Sequence, residues 1–572
     1  MDTSKAMSSI SSLPNELITL ILINNEPKEI LNFGSTCKKF NEIVNNNEYL
    51  WRIKYSEIVP RRFIKSLFDG TMLQEVKNVY KIRRRIQEEL KAMSPKYYVQ
   101  VNEVSVEHVR NFYAIATESH HSFYYTIFIL QDIVDKSRRI LQNFECINPI
   151  NNLTGIYYAK IVLRHLIHMF LSIKWVRELK RDNLTPQVVL MFFLQWIDCD
   201  HLYSDGEVYY QIHTLVEKVK NILDKVCPSG SGDNYKELGE REILRAITHV
   251  IYKQENFSIA ESVKIYNFNI VKVIEEGDGE AVVYSAIYQA VARYFGIECE
   301  MVAFPNHLFL TWRDKENSYR EYTIDLHTGQ LKPKGKCPYS QKMTFGYGPD
   351  PLIHYLLSLY MTSKGSYRDS GSQNAIHILD FLSYRRIHRT RNPYENFYNY
   401  LMVNINEQEI NSPLHMAYLS ESQLNMIRTL GNLNPATENV IRNIVPKKHP
   451  STVIYAVGML CYHELYNYMC IIVGWEEDCS KAVPPIEGVQ PCYRVIAGDQ
   501  SIRYVAQAHL KPVTTPFRIP SLEEDISTDF THFDGYTYVL NEMKKIEYPD
   551  EEKVVESYKG ILVKANVGDA YG

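Results

Sequence analysis

Ten cysteines are the most reactive side chains in this chain of 572 residues, and their spacing limits what they can do. No two of them form a C-x-x-C pair. A zinc finger or RING needs close pairs of thiolates so that four ligands converge on one ion, so neither is expected and no metal is assigned. Cys461, Cys470 and Cys479 fall at equal intervals, which reads as strand and loop positions rather than ligands. Scattered thiols without a framework suit a reducing compartment, the cytoplasm or the nucleus. Two basic runs, Lys81–Arg85 (KIRRR) and Tyr384–Arg391 (YRRIHRTR), could serve nuclear targeting or partner docking. Glu88 and Glu89 follow the first run at helical spacing, which points to a solvated helix face.

Several folded bodies must position these residues. The length suits roughly three or four domains. Hydrophobic residues at 45% against 23% charged supply a core and exclude global disorder. A net charge of −4 gives no whole-chain field for nucleic acid or an anionic membrane. Met1–Ser12 lacks the apolar run of a secretory signal. Val188–Ile197 is too short to span a bilayer, and Tyr157–Val176 is broken by Lys160, Arg164, His165 and Lys174, so no membrane partner is expected. Periodicity predicts short compact helices over 10–57, a mainly helical stretch over 58–350 ending in short strands around Cys299–Gln330, helices over 351–447, and strands from Thr452 onward. Pro228–Asn234 reads as a loop, and Asn432–Thr437 and Pro446–Ser451 as joints.

Residues 13–51 read LPNELITLILINNEPKEILNFGSTCKKFNEIVNNNEYLW. Pro14 can open a helix, since the first turn has no N–H bond to lose, and Leu17, Leu20 and Ile21 fall on one face. Pro27 starts a second helix that turns Ile30, Leu31 and Phe33 inward. Gly34 permits a sharp exit, and Cys37, Phe40 and Val44 form a third stripe. A unit of about 40 residues buries too little apolar surface to be very stable alone, so a partner is expected to complete it. The opening L-P-x-E-L, the central I-L and C-K-x-F and the closing L-W resemble the F-box. That resemblance implies binding to Skp1, which bridges to a cullin and its RING subunit. It assigns the Skp1-facing positions to Leu13, Pro14, Ile30, Leu31, Cys37, Phe40 and Trp51.

Residues 279–293 read GEAVVYSAIYQAVAR, followed by YFGIECEMVAFPNHLFLTW and later EYTIDLHTG. This order resembles the SirB1-type branch of the transglutaminase-like fold. Active members open the helix with G-x-C, a thiolate held by the helix dipole and by a His that an Asp orients. The resemblance puts Ala281 at the cysteine position and His307 and Asp325 at the other two, a degenerate triad. A methyl group cannot attack an amide carbonyl, so no catalytic residue is assigned. Cys299 lies beyond the helix in a strand-like run and reads as a core cysteine. His307 and Asp325 stay open to two readings: a satisfied buried hydrogen bond, or contacts to a ligand or peptide.

Residues 455–510 include YAVGMLCYHELYNYMCIIVGWEEDC, PCYRVIAG and RYVAQAHL. Alternation and close turns suggest a small β-barrel. The pattern resembles the YccV/HspQ-like domain, a name linked with hemimethylated-DNA binding, although bacterial members also behave as protein adaptors. Asn467 stands where those members usually have Gly, which predicts Asn in a left-handed conformation. Between Ser451 and Pro520, five Lys/Arg face six acidic residues, a poor balance for neutralising phosphates. Tyr466, Tyr468, Trp475, Tyr493 and Tyr504 are either barrel core or a peptide-binding surface.

The fold class expected is multidomain, mainly α with α+β. Its parts are a helical F-box (10–57), a helical linker (58–149), a SirB1-type transglutaminase-like α+β domain (150–345), a helical region (346–447) and a YccV/HspQ-like β-barrel with a C-terminal extension (450–550). The resemblances imply the substrate-recognition subunit of an SCF (Skp1–cullin–F-box) ubiquitin ligase, acting on protein substrates without a cofactor. Two alternatives are a cysteine-hydrolase or transglutaminase-like enzyme using His307 and Asp325, and a DNA-binding regulator using the C-terminal barrel. Ala281 opposes the first, and the local charge opposes the second.

Overall fold

The computed structural model describes residues 10–568 except 62, 65–69, 99–103, 144–147, 149, 227–237, 261–263, 305–306, 316–319, 335–348, 365–373, 376, 379–380, 382–392, 412–418, 434–442 and 478–489. Pro228–Asn234, the basic run Tyr384–Arg391 and Cys479 therefore lie outside the described residues. The chain forms two compact units, 1–166 together with 413–572, and 167–412.

The first unit opens with four short helices: α1 (Asn15–Ile23), α2 (Pro27–Gly34), α3 (Lys38–Asn45) and α4 (Glu48–Ser56). Pro14 precedes α1 and Pro27 opens α2, both places where a missing N–H costs nothing. Gly34 serves close packing rather than a sharp exit, because a Cβ there would stand 3.1 Å from the Val44 Cβ. Helices Met72–Tyr97 and Ser122–Asn143 extend the unit. Tyr125 donates to Glu75 at 2.5 Å, so Tyr55, 2.8 Å from Tyr125, must be the donor in that pair. The run Lys81–Arg85 lies on the helix Met72–Tyr97, where Arg83 pairs with Asp132, Arg84 with Glu88 and Arg85 with Glu118. Its charge is answered locally, as a helix face requires.

The second unit packs the helices Pro186–Ile197, Asp205–Val226, Glu240–His249 and Ala281–Tyr294 with an antiparallel sheet. Its strands β1 (Cys299–Phe304), β2 (His307–Asp314), β3 (Arg320–Asp325) and β4 (Leu331–Pro333) pair in chain order. Among the described residues, one helix is long and apolar enough to cross a membrane, Leu153–Lys180. Its apolar window is 83% buried inside the protein, which is what a core helix shows.

Back in the first unit, β5 (Leu460–His463), β6 (Tyr468–Glu476), β7 (Cys492–Ala497), β8 (Ile502–Ala506) and β9 (Leu510–Pro512) make an antiparallel sheet in the order β8-β7-β6-β5-β9. Only the turn Gln507–His509 separates β8 from β9, yet they occupy opposite edges. Three residues reach roughly 10–14 Å, so the sheet must curl until its edges nearly meet. Among the described residues no ladder joins those edges, and the expected barrel stands as a curled five-stranded sheet. Asn467 sits at φ 57 in the β5–β6 turn, the left-handed conformation expected of it. Phe530, Tyr538, Tyr548, Val555 and Tyr558, all beyond the strands, complete the sheet's apolar core.

Candidate functional site

The first candidate surface is the outer face of α1. Ile18 and Leu22 point into the four-helix core, whereas Leu17, Leu20 and Ile21 are 46%, 57% and 46% exposed. Leu17, Leu20 and Ile21 follow i, i+3, i+4 spacing and form one apolar stripe, and Leu13, which is half-buried, precedes the helix by two residues. Pro14 and Cys37 are exposed and Leu31 is half-buried. Three residues expected to face outward do not: Ile30, Phe40 and Trp51 are buried. The Trp51 indole donates to the Val44 carbonyl at 2.6 Å, and Phe40 stacks on Phe33 at 4.2 Å. Ile30 and Phe40 are buried where α2 packs on α3, and Trp51 lies on α4, which packs on α1.

The second candidate lies in the transglutaminase-like region. Ala281 is the first residue of the helix Ala281–Tyr294, the position a dipole-activated nucleophile would need. On the sheet, Phe309 pairs with Asp325, which puts His307 two residues away along β2. The His307 side chain lies outside the described residues. Asp325 accepts from Lys332 at 2.8 Å and from the His327 amide at 2.9 Å. Burial works to raise the Asp325 carboxyl, but these donors hold it below its ordinary value. It is a satisfied carboxylate.

Next to Ala281, sequence reasoning missed Glu280, which carries no motif signal. It is 7% exposed, and its Oε1 has no hydrogen-bond partner among the described residues. Burial, aided by Asp278, pushes its carboxyl up to about 7. Below about pH 4.5 the folded and unfolded chains both hold this proton, so the residue carries no penalty. As pH rises, the unfolded chain ionises first, and the penalty is complete above about pH 7. Glu280→Gln is therefore expected to stabilise the second unit by about 1–3 kcal/mol at pH 8 and to do nothing at pH 4. Unfolding measured at both pH values checks this.

Cys299 pairs with Trp312 across β1 and β2, and its thiol is pushed up to about 12 by burial, with Glu240 adding to the effect. A thiol raised that far is expected to alkylate about three orders of magnitude more slowly than an ordinary one at neutral pH. Exposed Cys37 should label well before Cys299 in folded protein treated with iodoacetamide, and peptide mapping reads the order.

The C-terminal sheet divides the five aromatic candidates. Trp475 and Tyr493 are buried and belong to the core, so they offer no binding surface. The Trp475 indole donates to Glu551 at 2.8 Å, and the Tyr493 hydroxyl donates to Gln507 at 2.6 Å. Tyr504 is half-buried against Cys492 and Ala506. Tyr466 stays 53% exposed, and Tyr468 stacks on His463 at 4.8 Å with Arg503 over its ring at 4.3 Å. Arg503, Lys511 and Arg518, three of the five Lys/Arg between Ser451 and Pro520, pair with Asp499, Glu464 and Glu523. Cys461 and Cys470 lie opposite each other in β5 and β6. No cluster of three potential metal ligands occurs among the described residues.

Three family models match this architecture in order: F-box-like over residues 10–56, transglutaminase-like superfamily over 207–351, and hemimethylated DNA-binding protein YccV like over 453–537. The chain carries F-box-like, transglutaminase-like and YccV-like domains. In this combination it resembles F-box only protein 21. It is 26% identical to that protein from Mus musculus and 25% identical to that from Homo sapiens, each over 483 residues covering 72% of this chain and 73% of the relative. The protein from Pongo abelii is 23% identical over 479 residues, with the same coverage. No solved structure matches the chain.

Proposed function

We propose that this chain is the substrate-receptor subunit of an SCF-type ubiquitin ligase, docking on Skp1 through its N-terminal helices and presenting protein substrates to the ligase. The observation that carries this reading is the outward apolar stripe Leu17–Leu20–Ile21 on an F-box-like unit. Apolar side chains at helical spacing, left open on a small helical unit, fit the groove of a partner. Pro14 and Cys37 are exposed and Leu13 and Leu31 half-buried, so these four remain available to the same partner. Skp1 would in turn bring a cullin and its RING subunit.

In this reading the chain supplies no nucleophile, since Ala281 stands at the helix start and Asp325 is engaged by Lys332. The receptor works by raising the effective concentration of a substrate lysine beside the E2 thioester. It would act in the cytoplasm or the nucleus. Paired cations on the C-terminal sheet favour a protein-facing role for that domain over DNA. Affinity capture with the full chain and with a chain lacking residues 1–57 tests the proposal. Skp1 and a cullin should be recovered with the full chain alone, and their absence from both samples would refute it.

A further inference from the structure

A cavity of about 200 Å³ opens in the second unit between the helices Asp205–Val226 and Ala281–Tyr294. Its walls are apolar, formed by Ile212, Val216 and Ala290, with Tyr209 beside them. The Arg293 guanidinium stands on its rim, 3.4 Å from the Gln187 side-chain oxygen, and makes no ion pair among the described residues. Nearby, Glu217 pairs with Lys220 at 2.8 Å, and Glu298 is the carboxylate whose charge Arg293 feels. The lining of the cavity itself includes Arg293 and no carboxylate. Tyr209 and Tyr294 line it and are 73% and 46% exposed, and tyrosine with arginine is the composition that dominates binding hot spots.

Pockets for small molecules and cofactors run to about 300–1,000 Å³, so this one suits a single amino-acid residue better. A chain terminus places a carboxylate and a side chain on one α-carbon. An internal acidic residue would need a second, separate residue to supply the apolar group. We propose that this cavity seats the carboxyl-terminal residue of a protein substrate, an aliphatic side chain among Ile212, Val216 and Ala290 and its carboxylate on Arg293. This rests on the reading of the chain as a substrate receptor. The planar guanidinium takes a carboxylate through two parallel hydrogen bonds, which lysine cannot reproduce.

The test is fluorescence polarisation with full-length protein and labelled Gly/Ser peptides ending in Leu, compared as the free acid, as the C-terminal amide, and with Asp-Leu moved to the interior of an amidated peptide. The free acid should bind about tenfold more tightly than either other form. Arg293→Gln should lose that preference, Arg293→Lys should keep part of it, and Tyr209→Ala should weaken binding several-fold. Equal binding of acid and amide, binding of the internal motif as well as the terminal one, no binding at all, or an unaffected Arg293→Gln each overturn the proposal. All variants should still capture Skp1. Retained capture without peptide binding would sink the pocket alone, whereas lost capture by the wild-type chain would sink the receptor reading.

Discussion

Replacing Leu17 and Leu20 together with Asp should weaken Skp1 capture by about a hundredfold or more while leaving the four N-terminal helices folded. Both side chains are about half exposed in the chain itself, so exchanging them costs the fold little. In a complex their exposed halves would be buried, worth about 0.7–1.5 kcal/mol each. Two such losses give a factor of roughly ten to a hundred, and the penalty for seating carboxylates in an apolar groove adds to it. Trp51→Ala is the contrasting control. That side chain fills the interior and bonds the Val44 carbonyl, so its loss should unfold the unit and remove capture by a different route. Circular dichroism with titration calorimetry separates the two. Undiminished binding by the double Asp variant would mean that the partner sits elsewhere.

The second large effect concerns Glu551, which begins the helix Glu551–Gly568. Its carboxylate accepts from the Val457 amide at 2.6 Å, the Trp475 indole at 2.8 Å and His449 at 2.9 Å. Glu551→Ala would leave two buried N–H donors and an imidazole unanswered, and breaking a buried pair in this way costs about 3–5 kcal/mol. Hydrogen exchange across β6 should accelerate by roughly two to three orders of magnitude, and unchanged protection would remove this carboxylate from its central place. The pH dependence has a definite sign. The hydrogen bond to Glu551 holds His449 above its ordinary value of 6.5. The stability contributed by the pair is therefore fully present below about pH 6.5 and declines as pH rises through the folded value.

Motif order made the three modules legible in the sequence, as it did the place of Ala281 at a helix start, because residue type at fixed spacing carries that information. Burial within the F-box was less legible. Leu17, Leu20 and Ile21 and their buried neighbours Ile18 and Leu22 are similar residues on one short helix, and only the packing of α2 to α4 decides which side faces inward. Trp475 and Tyr493 read equally well as surface or core until Glu551 and Gln507 are seen to take their polar atoms. Glu551 could not be found from sequence, since its partners lie far away in the chain. Glu280 escaped notice for a different reason: its burial depends on the loop around Asn267, whose carbonyl accepts the Glu280 amide at 3.4 Å.

The first unit is assembled from both ends of the chain, with 167–412 intervening. Thr154 donates to the Phe530 carbonyl and Tyr98 donates to Glu547, bonds that cannot form until those later residues are made. At about 5–20 residues per second, the ribosome needs on the order of ten to fifty seconds to emit the intervening stretch. Throughout that interval the N-terminal part of the unit waits without these partners, and Leu141 and Leu153 without the apolar cluster they join. A stop codon before residue 530 would therefore strand the earliest-made helices and hand them to chaperones.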